Sequence, residues 1–134
     1  EMAGGGVNDR FLGYWDYETR KTMPLILAHI PVKHPWEVFA YLPFGGWNEC
    51  PDTDELMAVT KYWFEQYGAV PAVMTHDVLE FDLPAPVPQE RAMEVAQEQY
   101  AFCPDVVDQG GEDATVGALA DTLRQSDKWY FWWD

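Results

Sequence analysis

The chain ends in a run of large aromatic residues whose alternation predicts a β-strand. Trp129, Phe131 and Trp133 fall on one face by the period of two that a strand imposes. That face is predicted to lie in the core, while Tyr130 and Trp132 on the other face are candidate exposed anchors for an interface. With 48% apolar residues and seven each of Trp, Tyr and Phe, the chain lacks the low hydrophobicity of a disordered segment.

Apolar periodicity and turn residues predict the elements that cover this strand. Further strands are predicted at residues 24–30, 36–42, 70–75 and 78–83, and helices at 52–67, 88–102 and 114–124. The order is therefore β-β-α-β-β-α-α-β. The predicted fold class is α/β or α+β, a single domain with a mixed β-sheet and about three covering helices. Residues 36–75 are expected to form a right-handed strand–helix–strand crossover.

The predicted organisation is a flexible or aromatic lead-in over residues 1–23 and one globular domain over residues 24–134. The chain opens on Glu1 and a glycine-rich stretch typical of a linker, so the domain is a candidate C-terminal domain of a longer protein. Two cysteines, Cys50 and Cys103, do not make a disulfide framework, which favours a reduced, cytoplasmic protein. No segment has the sequence of a membrane span or a signal peptide.

Charge is distributed unevenly along the chain. The formal net charge is −15, and residues 49–134 carry eighteen acidic and four basic side chains. This surface repels nucleic acid and anionic membranes and predicts a basic protein partner, with the oligomeric state left open. The partner-binding candidates are three glutamates spaced four residues apart along the second predicted helix and two aspartates in the loop that follows it. They are Glu90, Glu94, Glu98, Asp105 and Asp108. An ordinary solvated helix face explains the same spacing.

The loop Phe44–Pro51 is the main candidate ligand site. If the strand before it is parallel to residues 70–75, the loop lies at the carboxyl end of a strand, where open α/β sheets bind ligands. The ligand-binding candidates are Gly45 and Gly46, which allow close backbone approach, with Trp47 for stacking and Asn48 as a polar group. Nearby acids disfavour a phosphate ligand. The alternative is a tight turn with Trp47 docked in the core.

Cys50 and Asp52, at the start of the following helix, are the candidate catalytic residues. A helix N-terminus lowers a thiol pKa, whereas the neighbouring carboxylates raise it. No histidine is placed beside Cys50 by the sequence. A small buried apolar residue is the alternative interpretation of this cysteine.

A divalent metal is a third possibility, because His76, Glu80 and Asp82 share one strand face by period two. A strand with one solvated face produces the same pattern. No known ligand spacing is matched, and no cofactor is predicted.

Several stretches together resemble a known family. They are PWEVFAYLPFGGWNECP at 35–51, YGAVPA at 67–72, EQYAFCPD at 98–105 and WYFWW at 129–133. In this order they resemble the bacterial domain-of-unknown-function family numbered four-two-five-three, over residues 24–134. The resemblance implies a compact bacterial domain that is often preceded by further sequence. It implies no catalytic role for any residue.

These observations favour a non-enzymatic, acidic protein-interaction module, of the kind found among immunity and inhibitor proteins. The sequence contains no complete set of catalytic residues, which supports this interpretation. The alternatives are a small enzyme or ligand-binding domain that uses the Phe44–Pro51 loop, and a divalent-metal protein that uses His76, Glu80 and Asp82.

Overall fold

The fold is α+β, as the sequence predicts, in a computed structural model that describes residues 1–134. The strands are β1 (Trp15–Asp16), β2 (Lys21–Thr22), β3 (Val70–Met74), β4 (Val78–Asp82) and β5 (Lys128–Trp132). The helices are a 3-10 helix (Pro35–Ala40), α1 (Thr53–Tyr67), α2 (Gln89–Phe102), α3 (Asp105–Asp108) and α4 (Val116–Leu123). None of these helices has the length and apolar character required to cross a membrane.

The boundaries of α1 follow from its capping residues. The Asp52 carboxylate accepts the Glu55 N–H at 3.0 Å and satisfies a donor that the first turn leaves free. Gly68 ends the helix in the left-handed conformation, with φ of 73°. Asp52, a catalytic candidate from the sequence, therefore has a structural role as the N-cap.

The main sheet has three strands in the order β3-β4-β5, and both pairings are antiparallel. β3 is an edge strand with an irregularity between Pro71 and Val73. Edge strands and bulges are the places where a sheet tolerates proline. β1 and β2 form a separate two-stranded hairpin. The sheet is therefore antiparallel throughout.

The core is built around the indole of Trp63 in α1. This ring stacks on Phe131 at 5.6 Å with an interplanar angle of 6°, and meets Phe81, Phe102 and Trp129 edge to face. Such offset and edge-to-face pairs add to the hydrophobic gain from burial. The aromatic face predicted for the last strand is buried, so this part of the prediction is confirmed.

Two predicted strands do not form. Residues 24–30 are irregular, and Ile26 and Leu27 are 93% and 98% exposed. Residues 36–42 lie mostly in the 3-10 helix, where the Glu37 carboxylate accepts the main-chain N–H groups of Lys33 and His34. The parallel crossover over residues 36–75 was therefore wrong, because short apolar runs bounded by prolines do not distinguish a strand from other conformations.

Residues 4–13, which we call the N-terminal strap, lie against α4, β4 and β5. Gly5 donates its N–H to Asp121 Oδ2 at 2.9 Å, and Asn8 donates to Ser126 Oγ at 2.8 Å. Farther along, Leu12 and Gly13 both donate to Glu80. The sequence predicted flexibility for the first nine residues, whereas the structure has the segment hydrogen-bonded from Gly5 onward.

Candidate functional site

A cleft of about 440 Å³ opens between the N-terminal strap, α3 and α4, and we call it the acidic cleft. β5 provides two of its lining residues, since Tyr130 and Trp132 lie on the face opposite the buried aromatic residues. Tyr130 remains 38% exposed. The remaining lining residues are Gly4, Gly5, Gly6, Asn8, Asp105, Val106, Gln109, Gly110, Asp113, Ala114, Thr115, Ala118, Leu119 and Thr122.

Local sequence places a carboxylate at two points on this cleft. Asp105 is the first residue of α3, and one of its oxygens accepts the main-chain N–H of Asp134 at 2.9 Å. Asp113 lies in the loop before α4, which begins where the Thr115 side chain accepts the Ala118 N–H. No lysine, arginine or histidine lines the cleft. The cleft therefore has a negative lining without an internal counter-ion.

The two aromatic residues of the cleft lie close to acidic side chains of β4 and the turn before it. The Trp132 indole donates its N–H to Asp77 at 3.0 Å. Burial, and then the negative charges of Glu80 and Asp77, raise the pKa of the Tyr130 phenol, so this group stays neutral at ordinary pH. The cleft thus combines two carboxylates with neutral aromatic surface, an arrangement suited to organic cations.

The other predicted partner-binding acids lie away from this lining. The Glu94 carboxylate pairs with Arg91 at 2.8 Å. Asp108 accepts the Tyr100 hydroxyl at 3.1 Å, and Glu98 accepts the Trp63 indole N–H at 3.0 Å. Glu90 is exposed. Of the five acids proposed from the sequence, the structure brings only Asp105 to the cleft.

The Phe44–Pro51 loop closes on itself. Gly46 donates its N–H to the Pro51 carbonyl at 2.9 Å, and the side chain of Asn48 donates to the Asp134 carbonyl at 2.7 Å. Trp47 packs edge to face on Phe44 at 5.1 Å. This is the tight turn with a docked Trp47 that the sequence left as the alternative, and it follows no strand.

Gly45 is required in this loop for steric reasons. Its φ is +87°, and a Cβ there would collide with the Pro51 carbonyl oxygen and lie 2.7 Å from a Leu56 methyl. Gly46 also has a positive φ, of +79°, but a Cβ there would meet open space. The glycine pair is therefore explained by the turn itself.

Cys50, in the same loop, has a buried side chain that is not presented to solvent. Burial, reinforced by the nearby Cys103, raises the pKa of the Cys50 thiol to about 12. The same cause raises the pKa of the Cys103 thiol to about 12, and this thiol contacts the Trp132 carbonyl oxygen at 3.1 Å. Neither thiol has the lowered pKa of a reactive cysteine.

The proposed metal ligands do not converge. His76 lies in the β3–β4 turn with an exposed ring, and Asp82 pairs with Lys128 at 2.8 Å. Glu80 is buried under the N-terminal strap. No group of three or more His, Cys, Asp or Glu side chains is arranged to hold a metal ion. The strand begins at Val78, so His76 lies before it and does not share its face with Glu80 and Asp82.

Sequence reasoning did not single out Asp113, Asp121 or Ser126. Asp113 belongs to an acidic loop that the charge pattern did identify, but the pattern could not place it in the same cleft as Tyr130. Asp121 and Ser126 follow no recognisable motif, since their importance comes from contacts with residues more than one hundred positions away.

A family model described as Domain of unknown function (DUF4253) matches residues 26–134. The family suggested by the sequence resemblance is therefore confirmed. No curated protein and no solved structure matches the chain. The match includes α3, α4 and β5, which supply most of the acidic cleft, and leaves the N-terminal strap outside it.

Proposed function

The chain belongs to the DUF4253 family, whose description names no activity, and we propose that it is a non-enzymatic interaction module that binds a basic protein partner through the acidic cleft. The observation that carries this proposal is the lining of the cleft, which has two carboxylates, two aromatic side chains and no basic residue. A protruding lysine or arginine side chain of a partner complements that lining in charge and in shape.

Charge supports this assignment beyond the cleft itself. Among residues 49–134, all four basic side chains are engaged by acids of the same chain, Lys61 with Glu65 only at 4.0 Å. The remaining carboxylates are uncompensated, so the surface attracts a positively charged protein over a distance of about one Debye length, roughly 10 Å at 0.1 M salt. Complementary charge of this kind raises association rates and selects partners.

Aromatic surface adds affinity for a cation that has entered the cleft. A guanidinium or ammonium group over Tyr130 or Trp132 gains about 0.5–2 kcal/mol by the cation–π interaction. Asp113, which is exposed, remains free to pair with that group at the rim. An arginine side chain matches both features better than lysine, because its planar guanidinium stacks and forms bidentate hydrogen bonds.

Peptide binding tests the proposal directly. A fluorescent tetra-arginine peptide and an uncharged tetra-citrulline peptide are titrated with the protein at low and high salt, and binding is followed by anisotropy. The arginine peptide is expected to bind, and to weaken at high salt, whereas the citrulline peptide is not. Failure of the arginine peptide to bind at low salt contradicts the proposal.

A matched pair of variants separates the cleft from the general negative field. Asp113→Asn and Glu90→Gln each remove one exposed carboxylate, but only Asp113 lines the cleft. Asp113→Asn is expected to weaken binding about fivefold, the equivalent of roughly 1 kcal/mol, and Glu90→Gln by much less. Equal effects would attribute binding to the diffuse negative field, and a larger effect of Glu90→Gln would move the site to the Glu90–Glu94–Glu98 stripe.

The catalytic alternative has no comparable support. Cys50 is buried with a raised pKa, and Asp52 is occupied as a helix cap. The proposed module therefore acts by binding.

A further inference from the structure

The N-terminal strap is held chiefly through its main chain, by side chains that belong to the family domain. Glu80, Asp121 and Ser126 are 1%, 6% and 0% exposed, and each accepts hydrogen bonds from strap N–H groups. Buried carboxylates and hydroxyls are costly unless they are satisfied. These three side chains are therefore built to receive an extended peptide backbone.

The contacts continue along the whole strap. Thr122 Oγ1 accepts the Gly6 N–H at 3.1 Å, beside the Gly5–Asp121 contact. In the middle, the Asn8 carbonyl accepts the Lys128 N–H at 3.3 Å, so the strap also pairs with the outer edge of β5. At the far end, the two oxygens of Glu80 accept the Leu12 and Gly13 N–H groups, each at 2.9 Å.

Two glycines set the steric requirement of this groove. A Cβ at Gly5 would collide with the main chain of Ala118 and Thr122, and a Cβ at Gly13 would lie 3.0 Å from the Glu80 carboxylate and 3.1 Å from Val78. Between them, the side chains of Val7, Asp9 and Arg10 are exposed. The groove therefore recognises a backbone and two glycines, and leaves half of the intervening side chains in solvent.

We propose that Glu80, Asp121, Thr122 and Ser126 form a peptide-binding groove for an extended main chain with glycines eight residues apart, and that residues 4–13 are its displaceable resident ligand. The four side chains lie inside the family match and the strap lies outside it. The strap is joined to the domain through the exposed residues 18–29, so it can leave without unfolding the sheet. The strap also lines the acidic cleft, so its departure changes that cleft, but the affinity of the groove for the strap comes from backbone hydrogen bonds and not from cation binding.

A full-length variant with a disabled strap provides the test. Gly5→Val and Gly13→Val together obstruct the strap and leave all four groove side chains unchanged. A labelled peptide of residues 1–23 is expected to bind this variant at least tenfold more tightly than the unaltered protein, whose groove is occupied. The same peptide carrying both valines is the matched control and is expected not to bind.

Hydrogen exchange of the main-chain amides at positions 12 and 13 of this variant reports whether the strap has left the groove. Rapid exchange together with peptide binding supports the proposal. Rapid exchange without peptide binding overturns it. If these amides stay protected from exchange, the valine side chains do not expel the strap. That result overturns the glycine requirement and the proposed specificity.

A second measurement covers the case in which the valine variant does not fold. A protease site replaces residues 25–28, which are exposed, in the otherwise unaltered chain, and the folded protein is then cleaved. The fragment is expected to remain bound until excess 1–23 peptide displaces it, with no displacement by the double-valine peptide. Spontaneous loss of the fragment, or its failure to exchange with excess peptide, would refute a displaceable ligand.

Discussion

The carboxylate of Glu98 accepts the indole N–H of Trp63 at 3.0 Å, so one residue of the Glu90–Glu94–Glu98 stripe supports the aromatic core. Trp63 is 1% exposed and lies at the centre of that core. The second oxygen of Glu98 accepts the Tyr62 hydroxyl at 3.1 Å, which ties α2 to α1. Within the stripe, Glu90 is exposed at the start of α2 whereas Glu98 supports the core, so the three acids are not equivalent.

Replacement of Glu98 by alanine is expected to destabilise the protein by about 1–3 kcal/mol, because the buried Trp63 N–H then has no acceptor. Glu90→Ala, on the same helix but exposed, is expected to change stability by less than about 0.5 kcal/mol. Urea unfolding followed by tryptophan fluorescence measures both. Equal changes in the two variants would contradict a structural role for Glu98.

Local signals predicted α1, β3, β4, α2, α4 and β5, but not the short helix α3, which lies in a segment predicted to be a loop. Asp52 and Gly68 mark the ends of α1, and the alternation of residues 129–133 predicted both the strand and its buried face. These features depend on neighbours within a few residues, which the sequence displays directly. The fold class followed from them.

The same approach failed where long-range contacts decide the structure. Residues 24–30 have the apolar character of a buried strand, yet they pair with no strand and the side chains of Ile26 and Leu27 are exposed. Glu80 appeared to be a metal ligand, although its actual partners are main-chain N–H groups of Leu12 and Gly13. The cleft forms where residues 4–8 lie beside residues 105–122. No local sequence pattern predicts that contact.

Both cysteines are expected to be unreactive toward an aromatic disulfide reagent in the native protein at pH 8. Their thiols are buried, and burial raises the pKa of each to about 12, so almost no thiolate is present. In denaturant both are expected to label fully and quickly. Rapid native labelling that a Cys50→Ser variant abolishes would restore Cys50 as a candidate nucleophile.

Alanine substitutions of Gly45 and of Gly46 are expected to lower the free energy of unfolding by different amounts. Both require an unfavourable positive φ, worth about 1–2 kcal/mol. Gly45→Ala adds a collision with the Pro51 carbonyl, which raises the total by about 1–3 kcal/mol, whereas Gly46→Ala does not. Thermal and urea unfolding of the two variants provide the comparison. A larger loss in Gly46→Ala would contradict the steric explanation of the turn.

The contributions of Glu80 and Asp121 to the stability of the protein are expected to depend on pH with opposite signs. Burial raises the pKa of Glu80 above its ordinary value of 4.5, although the Leu12 and Gly13 N–H groups oppose the shift. Its contribution to stability is therefore complete below that value and is lost as pH rises through the folded-state pKa.

For Asp121, the Gly5 N–H and then Arg124 lower the pKa, so its contribution is present above the ordinary value of 3.8 and is lost as pH falls. Unfolding free energies of the unaltered protein, Glu80→Gln and Asp121→Asn are compared across acidic and neutral pH. The difference between the unaltered protein and Glu80→Gln is expected to decrease with rising pH, by at most about 1.4 kcal/mol per pH unit. The corresponding difference for Asp121→Asn is expected to increase. If both differences change in the same direction, burial does not control the ionisation of Glu80 beneath the strap.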